Sequence, residues 1–176
     1  MSSVSDVTLR DATADDAAAC AAIYAHCVEH STVTFEEVAP SAEVMAGRIA
    51  VAQEQHAWLV AERDGVVVGY AYGGPFKARA AYRFSCEVSV YLDPSARGAG
   101  LGRELYAVLL GRMESLGLRM ACGGVTLPND ASVALHRALG FEPVGTYRRI
   151  GWKLGAWRDV AWFQKSLGGD GPPPSG

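Results

Sequence analysis

One stretch constrains the fold of this chain more than any other: Glu87-Val-Ser-Val-Tyr-Leu-Asp-Pro-Ser-Ala-Arg-Gly-Ala-Gly-Leu-Gly102. Its first half alternates as a strand does, Asp93-Pro94 breaks the pattern, and Arg97, Gly98, Gly100 and Gly102 lead straight into a segment with helical periodicity. A strand that turns through glycines into a helix leaves unpaired backbone N–H groups pointing outward together at the helix start. Such a place suits an anion, usually a phosphate.

Two familiar phosphate motifs do not fit. In Gly98-Ala-Gly-Leu-Gly102 the third glycine of a G-x-G-x-x-G fingerprint is replaced by Arg103, and no early βαβ unit precedes it. No G-K-[ST] is present for a nucleotide loop. Sixteen basic against nineteen acidic residues give a net charge of -3 without a basic run, so nucleic acid is excluded as a partner. No apolar run reaches the length of a membrane span, and residues 1–6 lack the regions of a secretion signal, so a cytoplasmic protein without membrane contact is expected. Cys20, Cys27, Cys86 and Cys122 are scattered without C-x-x-C spacing and are expected to be reduced and buried. His26 and His30 lie four apart but lack a third ligand, so no metal is expected.

With 176 residues the chain suits one domain, expected over 7–167, with a flexible N-terminus at 1–6 and a disordered Gly/Pro/Ser tail at 168–176. Val7 to Arg10 reads as a strand, Ala17 to Val28 and Ala42 to Gln53 as helices, and Ser31 to Glu36 as a loop or short extended piece between them. Ala57 to Glu62 and Val66 to Tyr72 form a hairpin about Asp64-Gly65, and Gly69 marks a bulge or a close backbone approach. Gly73 to Tyr82 reads as a loop and Tyr82 to Leu92 as the central strand. A helix from Leu101 to about Gly117, a strand from Arg119 to Val125 and a helix from Ala131 to Leu139 capped by Gly140 follow. Glu142 to Lys153 and Arg158 to Leu167 close the chain as strands joined around Gly155.

Strand alternation puts Glu87, Ser89 and Tyr91 on one face and Val88, Val90 and Leu92 on the other. A carboxylate in mid-strand costs free energy unless it is paired, hydrated or used. Arg79 or Arg83 would be the partner if Glu87 were only structural. Phe76, Lys77, Arg79 and Tyr82 crowd the preceding loop, either as ligand contacts or as a solvated surface.

The segment Arg97-x-x-Gly100-x-Gly102 after a strand resembles the acyl-CoA signature [QR]-x-x-G-x-[GA] of the GCN5-related N-acetyltransferases (GNAT). Asn129, the stretch Leu135-His-Arg-Ala-Leu-Gly-Phe141 and the element order β, α, α, β, β, β, α, β, α, β, β match the same superfamily. Thr32-Val-Thr-Phe35, Pro75-Phe-Lys-Ala-Arg-Ala-Ala-Tyr82, Leu127-Pro-Asn-Asp130 and Gly151-Trp-Lys-Leu-Gly-Ala-Trp-Arg-Asp-Val160 resemble its phosphinothricin and methionine sulfoximine acetyltransferase branch.

The resemblance implies an α/β fold with a mixed central sheet flanked by helices, acetyl-CoA as co-substrate, and a small amino-acid-like amine as acceptor. A homodimer is also implied. Backbone N–H groups of Arg97, Gly98, Ala99, Gly100, Leu101 and Gly102 would cradle the pyrophosphate, where side-chain bulk would collide. Ser89, Val90 and Tyr91 would pair with the pantetheine, and Asn129 would hold it by its amide. Glu87 would be the base that takes a proton from the amine. His136 stands where many members carry a tyrosine, and would be a general acid, a second base or a pocket wall. Cys86 faces away from Glu87, which favours direct transfer over an acyl-cysteine. Arg79 and Tyr82 would receive a substrate carboxylate, Phe35 would pack on its apolar stem, and Phe76 would be a further substrate contact. Trp152, Lys153 and Trp157 would cover a subunit interface or reach a pocket. Other acceptors, a protein N-terminus or a polyamine, and a non-catalytic acyl-CoA sensor are the alternatives.

Overall fold

The computed structural model describes residues 7–173. The expectations for residues 1–6 and 174–176 lie outside them, and residues 168–173 contain no helix or strand. Seven strands and four helices follow one another in the expected order. β1 (Val7–Asp11) precedes α1 (Ala17–His30) and α2 (Ala42–Gln55); β2 (Trp58–Arg63), β3 (Val66–Pro75) and β4 (Ser85–Leu92) come next. α3 (Leu101–Ser115), β5 (Met120–Leu127), α4 (Asp130–Ala138), β6 (Glu142–Lys153) and β7 (Ala156–Ser166) complete the chain.

The strands make one sheet in the order β1-β2-β3-β4-β5-β7-β6, antiparallel except for the β4–β5 pair. Alternation along β2 explains the layers. Leu59 and Ala61 point into the core shared with Leu105, Tyr106 and Leu109 of α3, while Trp58 and Val60 meet Ile23, Met45 and Ile49 of α1 and α2. Each face of the sheet is thus closed by a helix pair or a long helix, which leaves ligands the ends and gaps of the sheet.

Several boundaries differ from the sequence reading for local reasons. β3 runs on through Gly73, Gly74 and Pro75, which pair with Val88, Glu87 and Cys86, so the expected loop is shorter. The central strand begins at Ser85 rather than Tyr82, because Ala80–Tyr82 closes a 3-10 turn with Tyr82 N–H donating to Arg79 O at 2.9 Å. Gly69 satisfies both expectations. A register shift lies opposite it between Ala61 and Glu62, and a Cβ there would stand 3.2 Å from Tyr91 O. Gly140 has φ +80°, and the Phe141 N–H reaches back to His136 O at 3.0 Å to end α4.

The β6–β7 hairpin is tighter than expected. Leu154 (φ +50°) and Gly155 (φ +72°) form a two-residue turn between Lys153 and Ala156. Further along, three residues of β6, 148–150, oppose Asp159 alone, and Arg149 (φ +52°) donates its N–H to Asp159 Oδ1 at 2.7 Å. That bulge, which includes Ile150, breaks the register of β6.

Candidate active site

β4 and β5 pair over three rungs only: Ser85 with Met120, Cys86 with Ala121, and Glu87 with Cys122. β4 nevertheless continues to Leu92 and β5 to Leu127, so the strands part just past Glu87. The fork opens into a cleft of ≈ 340 Å³ lined by Ser89, Val90 and Tyr91 on one prong, Gly124 to Thr126 on the other, and Gly98, Gly102, Asn129 and His136 around its mouth. A bare strand edge offers main-chain donors and acceptors to an extended, amide-bearing ligand. At its root Tyr106 of α3 donates its hydroxyl to Val88 O at 2.9 Å, capping a carbonyl beyond the last rung.

The glycine turn closes one end of this cleft. Asp93 accepts from Ser95 N–H at 2.9 Å, starting a 3-10 turn at Pro94–Ala96, and Gly100 then caps α3. Among the described residues no acceptor meets the backbone N–H groups of Arg97 to Gly102. Gly98 and Gly100 have φ +82° and +80°, and a Cβ on either would touch nothing within 4 Å. Within the protein itself, then, these glycines are demanded by left-handed backbone and not by crowding. Arg97 and Ala99 are exposed, whereas Leu101 is buried and can offer only its N–H.

At the other end of the cleft Asn129 divides its amide. Its Oδ1 accepts from Ser132 N–H at 3.1 Å as the N-cap of α4, which leaves Nδ2 to donate toward the cleft.

Glu87 stands on the last rung before the strands part, half-buried, on the wall of two further cavities. One, of ≈ 650 Å³, includes Phe76, Lys77, Tyr82, Cys122 and Trp162. The other, of ≈ 440 Å³, includes Tyr24, Phe35, Tyr72, Tyr91, Ile150 and Trp162. Desolvation holds the Glu87 carboxyl above its ordinary range. Neither candidate arginine pairs with it. Arg83 lies 4.5 Å over the Phe84 ring and donates to Ala80 O at 3.1 Å, and none of the ion pairs among the described residues involves Glu87.

His136 is 4% exposed and packs between Phe141, Phe163 and Tyr106. Its Nδ1 lies 2.7 Å from Ser132 O, which can only accept, so Nδ1 carries the hydrogen. Burial lowers its pKa, the ring is neutral, and Nε2 is a bare acceptor facing Gly123 with no partner among the described residues. His136 lines the fork but neither of the two cavities beside Glu87. Among the three roles expected for it, this tautomer disfavours the acid, because a proton donor would need the imidazolium that burial opposes.

The structure brings Phe35, Phe76 and Tyr82 to the cavities, with Phe76 and Tyr82 in edge contact at 5.8 Å. Arg79 is not among the lining residues of either cavity; it is exposed at the start of the 3-10 turn. Lys77 is the cation there instead, its Nζ 5.3 Å from the Phe76 ring centre and 5.8 Å from that of Tyr82. Cys86 is fully buried in the core, its thiol pushed up to about 12 by burial. The thiol that shares a cavity with Glu87 is Cys122, which the sequence reading did not single out. Trp162 and Val160 of β7 were also missed; their alternation with buried Ala161 and Phe163 was the available signal.

A description of the "Acetyltransferase (GNAT) domain" matches residues 9–162. The chain is a GNAT acetyltransferase. It is 42% identical over 167 residues to a phosphinothricin N-acetyltransferase of Streptomyces viridochromogenes, covering 95% of this chain and 91% of the relative. A methionine sulfoximine/methionine sulfone acetyltransferase of Salmonella typhimurium is 32% identical over 165 residues, 92% of this chain and 95% of the relative. Among solved structures, a phosphinothricin acetyltransferase of Sinorhizobium meliloti in complex with acetyl-CoA superposes with TM-score 0.93 at 41% identity, covering 97% of this acetyltransferase and 94% of that chain.

Proposed function

We propose that this acetyltransferase moves an acetyl group from acetyl-CoA to the α-amine of a small amino-acid-like acceptor of the phosphinothricin or methionine sulfoximine type, by direct transfer. The observation that carries the reading is the fork: a bare main-chain edge ends at a carboxylate without an ion-pair partner among the described residues, and acceptor-sized cavities open beside it. The residues present suit acetyl-CoA. The free N–H groups of Arg97 to Gly102 at the start of α3 fit a pyrophosphate, the Ser89–Tyr91 edge fits the amides of pantetheine, and Asn129 Nδ2 fits one of its carbonyls. When bound, acetyl-CoA supplies the activated acyl group.

The chain's own task is to make the amine a nucleophile. An α-amine with a pKa of about 8 is mostly protonated at neutral pH, so a base near it speeds attack. Glu87, desolvated and raised, takes that proton directly or through water. His136 Nε2, a bare acceptor at the fork, assists as a second acceptor or holds the wall. Lys77 supplies a positive charge for the acceptor's anionic group, with Tyr82 beside it and Phe76 and Phe35 against apolar atoms; Arg79 contributes from the rim.

The cavity walls favour this acceptor over the alternatives. Among the described residues Glu87 is the single carboxylate lining either cavity, where a polyamine would call for several. The molecule works in the cytoplasm on this reading, which four free, buried cysteines favour. A homodimer is favoured by the outer strand β6, on which Val144, Tyr147, Ile150 and Trp152 are exposed, with Trp157 of β7 at 5.4 Å from Trp152. A thiol-release assay across small amines tests the acceptor: turnover with phosphinothricin or methionine sulfoximine is expected, and silence with every amino acid would refute the reading.

A further inference from the structure

Lys153 is 5% exposed, although it sits in a hairpin whose Trp152, Leu154 and Trp157 are exposed. A lysine held out of water is costly unless its ammonium is matched, and an apolar residue would fill the same space at less cost. No carboxylate of the described residues is within ion-pair distance of it. Its Nζ donates instead to the main-chain carbonyl of Thr34, 2.8 Å away and 119 positions earlier. Burial lowers its pKa, opposed by Cys27 of α1 and by Glu37 and Glu36 of the loop it grips.

The gripped loop, between α1 and α2, has no helix or strand of its own in residues 31–41. It is held at four places around Thr34. Tyr24 Oη of α1 lies 2.6 Å from Thr34 Oγ1, and Lys153 takes the Thr34 carbonyl. The Phe35 ring rests directly on Gly151, where any Cβ would collide with it, and Arg48 of α2 pairs with Glu36 at 2.9 Å. Val33, Thr34 and Phe35 in turn wall the cavity that Glu87 shares with Ile150 and Trp162. Lys153 sits beside the two-residue turn that ends β6, so its backbone is fixed at a rigid point of the sheet.

We propose that Lys153 is a positioning residue that sets the roof of the acceptor cavity: anchored on the Thr34 carbonyl, it holds Phe35 against Gly151 and so fixes how much room the acceptor has beside Glu87. The proposal rests on the acceptor reading above for its kinetic consequence, and on contacts within the protein for the anchor itself. Lys153 touches none of the reacting atoms. Its effect passes through Thr34 and Phe35, and that route is what an experiment can isolate.

Lys153→Met keeps the stem and removes the donor. It is expected to raise the acceptor KM roughly tenfold, the loss of one charge-assisted hydrogen bond, while leaving the KM for acetyl-CoA unchanged. Phe35→Ala raises the acceptor KM by itself, and adding Lys153→Met to it produces no further rise, because the anchor then has nothing to position. Independent, multiplying effects of the two substitutions would overturn the proposal, as would an equal loss with both substrates. Tyr24→Phe, which removes only the hydroxyl against Thr34, moves the acceptor KM in the same direction and serves if Lys153→Met does not fold. Hydrogen exchange of residues 31–41 in the free enzyme is read alongside: Lys153→Met speeds it, and unchanged exchange overturns the anchor whatever the enzyme acetylates. A wild type silent with all amino acids refutes the acceptor reading, while the exchange measurement still decides the anchor.

Discussion

Replacing Glu87 by Gln separates the cost of this carboxylate from its use. The change preserves shape, so the rungs to Gly74 and Cys122 persist and the fork keeps its width. What disappears is a charge with no ion pair, in a desolvated place that raises its pKa. A general base contributes a factor of about 10² to 10⁴, so kcat/KM for the acceptor should fall by that much, about 3 to 5 kcal/mol of transition-state stabilisation. Acetyl-CoA affinity, measured by calorimetry, should not change. Stability should move the other way. Because the folded-state pKa is raised, the contribution of Glu87 favours folding below its unfolded pKa and is lost as pH rises through the folded value. At neutral pH the ionised group therefore opposes folding, and Glu87→Gln raises Tm. The wild-type pH–rate profile should show an acid limb above the ordinary carboxylate range that the variant lacks. Unchanged rates would remove Glu87 from the chemistry, and a fall in Tm with intact acetyl-CoA binding would mean that the carboxylate is a structural ion-pair partner.

Asn129→Asp keeps the N-cap oxygen of α4 but loses the amide donor, so Tm should hold while the acetyl-CoA KM rises; Asn129→Ala should in addition cost about 1 kcal/mol in denaturant unfolding. Gly100→Val forces a β-branched residue to φ +80° at the start of α3 and should abolish acetyl-CoA binding in calorimetry; undiminished affinity would contradict the phosphate-turn assignment. Trp152→Glu on the exposed face of β6 should yield monomers in light scattering if that face joins two copies. Arg10→Ala removes a bidentate partner of Asp16, with contacts of 2.8 Å, and of Glu62. Arg10 holds the Asp16 carboxyl below its usual range, so its stabilisation is present above the unfolded value and lost as pH falls through the folded one; the Tm gap between wild type and variant should narrow in acid.

Much of this site was legible because its parts are local. The strand, the glycine turn and the helix start are contiguous from Glu87 to Leu101, and strand alternation alone puts Glu87 and Tyr91 on one face, as the cavity that both line bears out. What escaped depends on distant segments meeting. Arg79 and Lys77 are two apart in one loop, and only the 3-10 turn at Ala80–Tyr82 decides which reaches the cavity. The fork is a property of a pair of strands separated by α3, with nothing in either strand to announce that pairing stops at Glu87. His136 was recognised by place, but its tautomer follows from a Ser132 carbonyl one helical turn away. Lys153 was expected with Trp152 and Trp157 at a subunit interface or a pocket; its burial beside exposed Trp152 and Leu154 was not, because the carbonyl that receives it lies 119 positions earlier.

The fork also divides what can change from what cannot. On the proposed function, delivery of the acyl group depends on main-chain groups of β4 and of the glycine turn, which most substitutions leave alone. On the same proposal, acceptor choice depends on side chains of other segments that line the cavity: Phe35 from the α1–α2 loop, Ile150 from the β6 bulge, Val160 and Trp162 from β7. On that reading, mutations in those segments alter the acceptor cavity one wall at a time while the donor half keeps its main-chain contacts, so an enzyme built this way can acquire a new amine acceptor without first losing acetyl transfer.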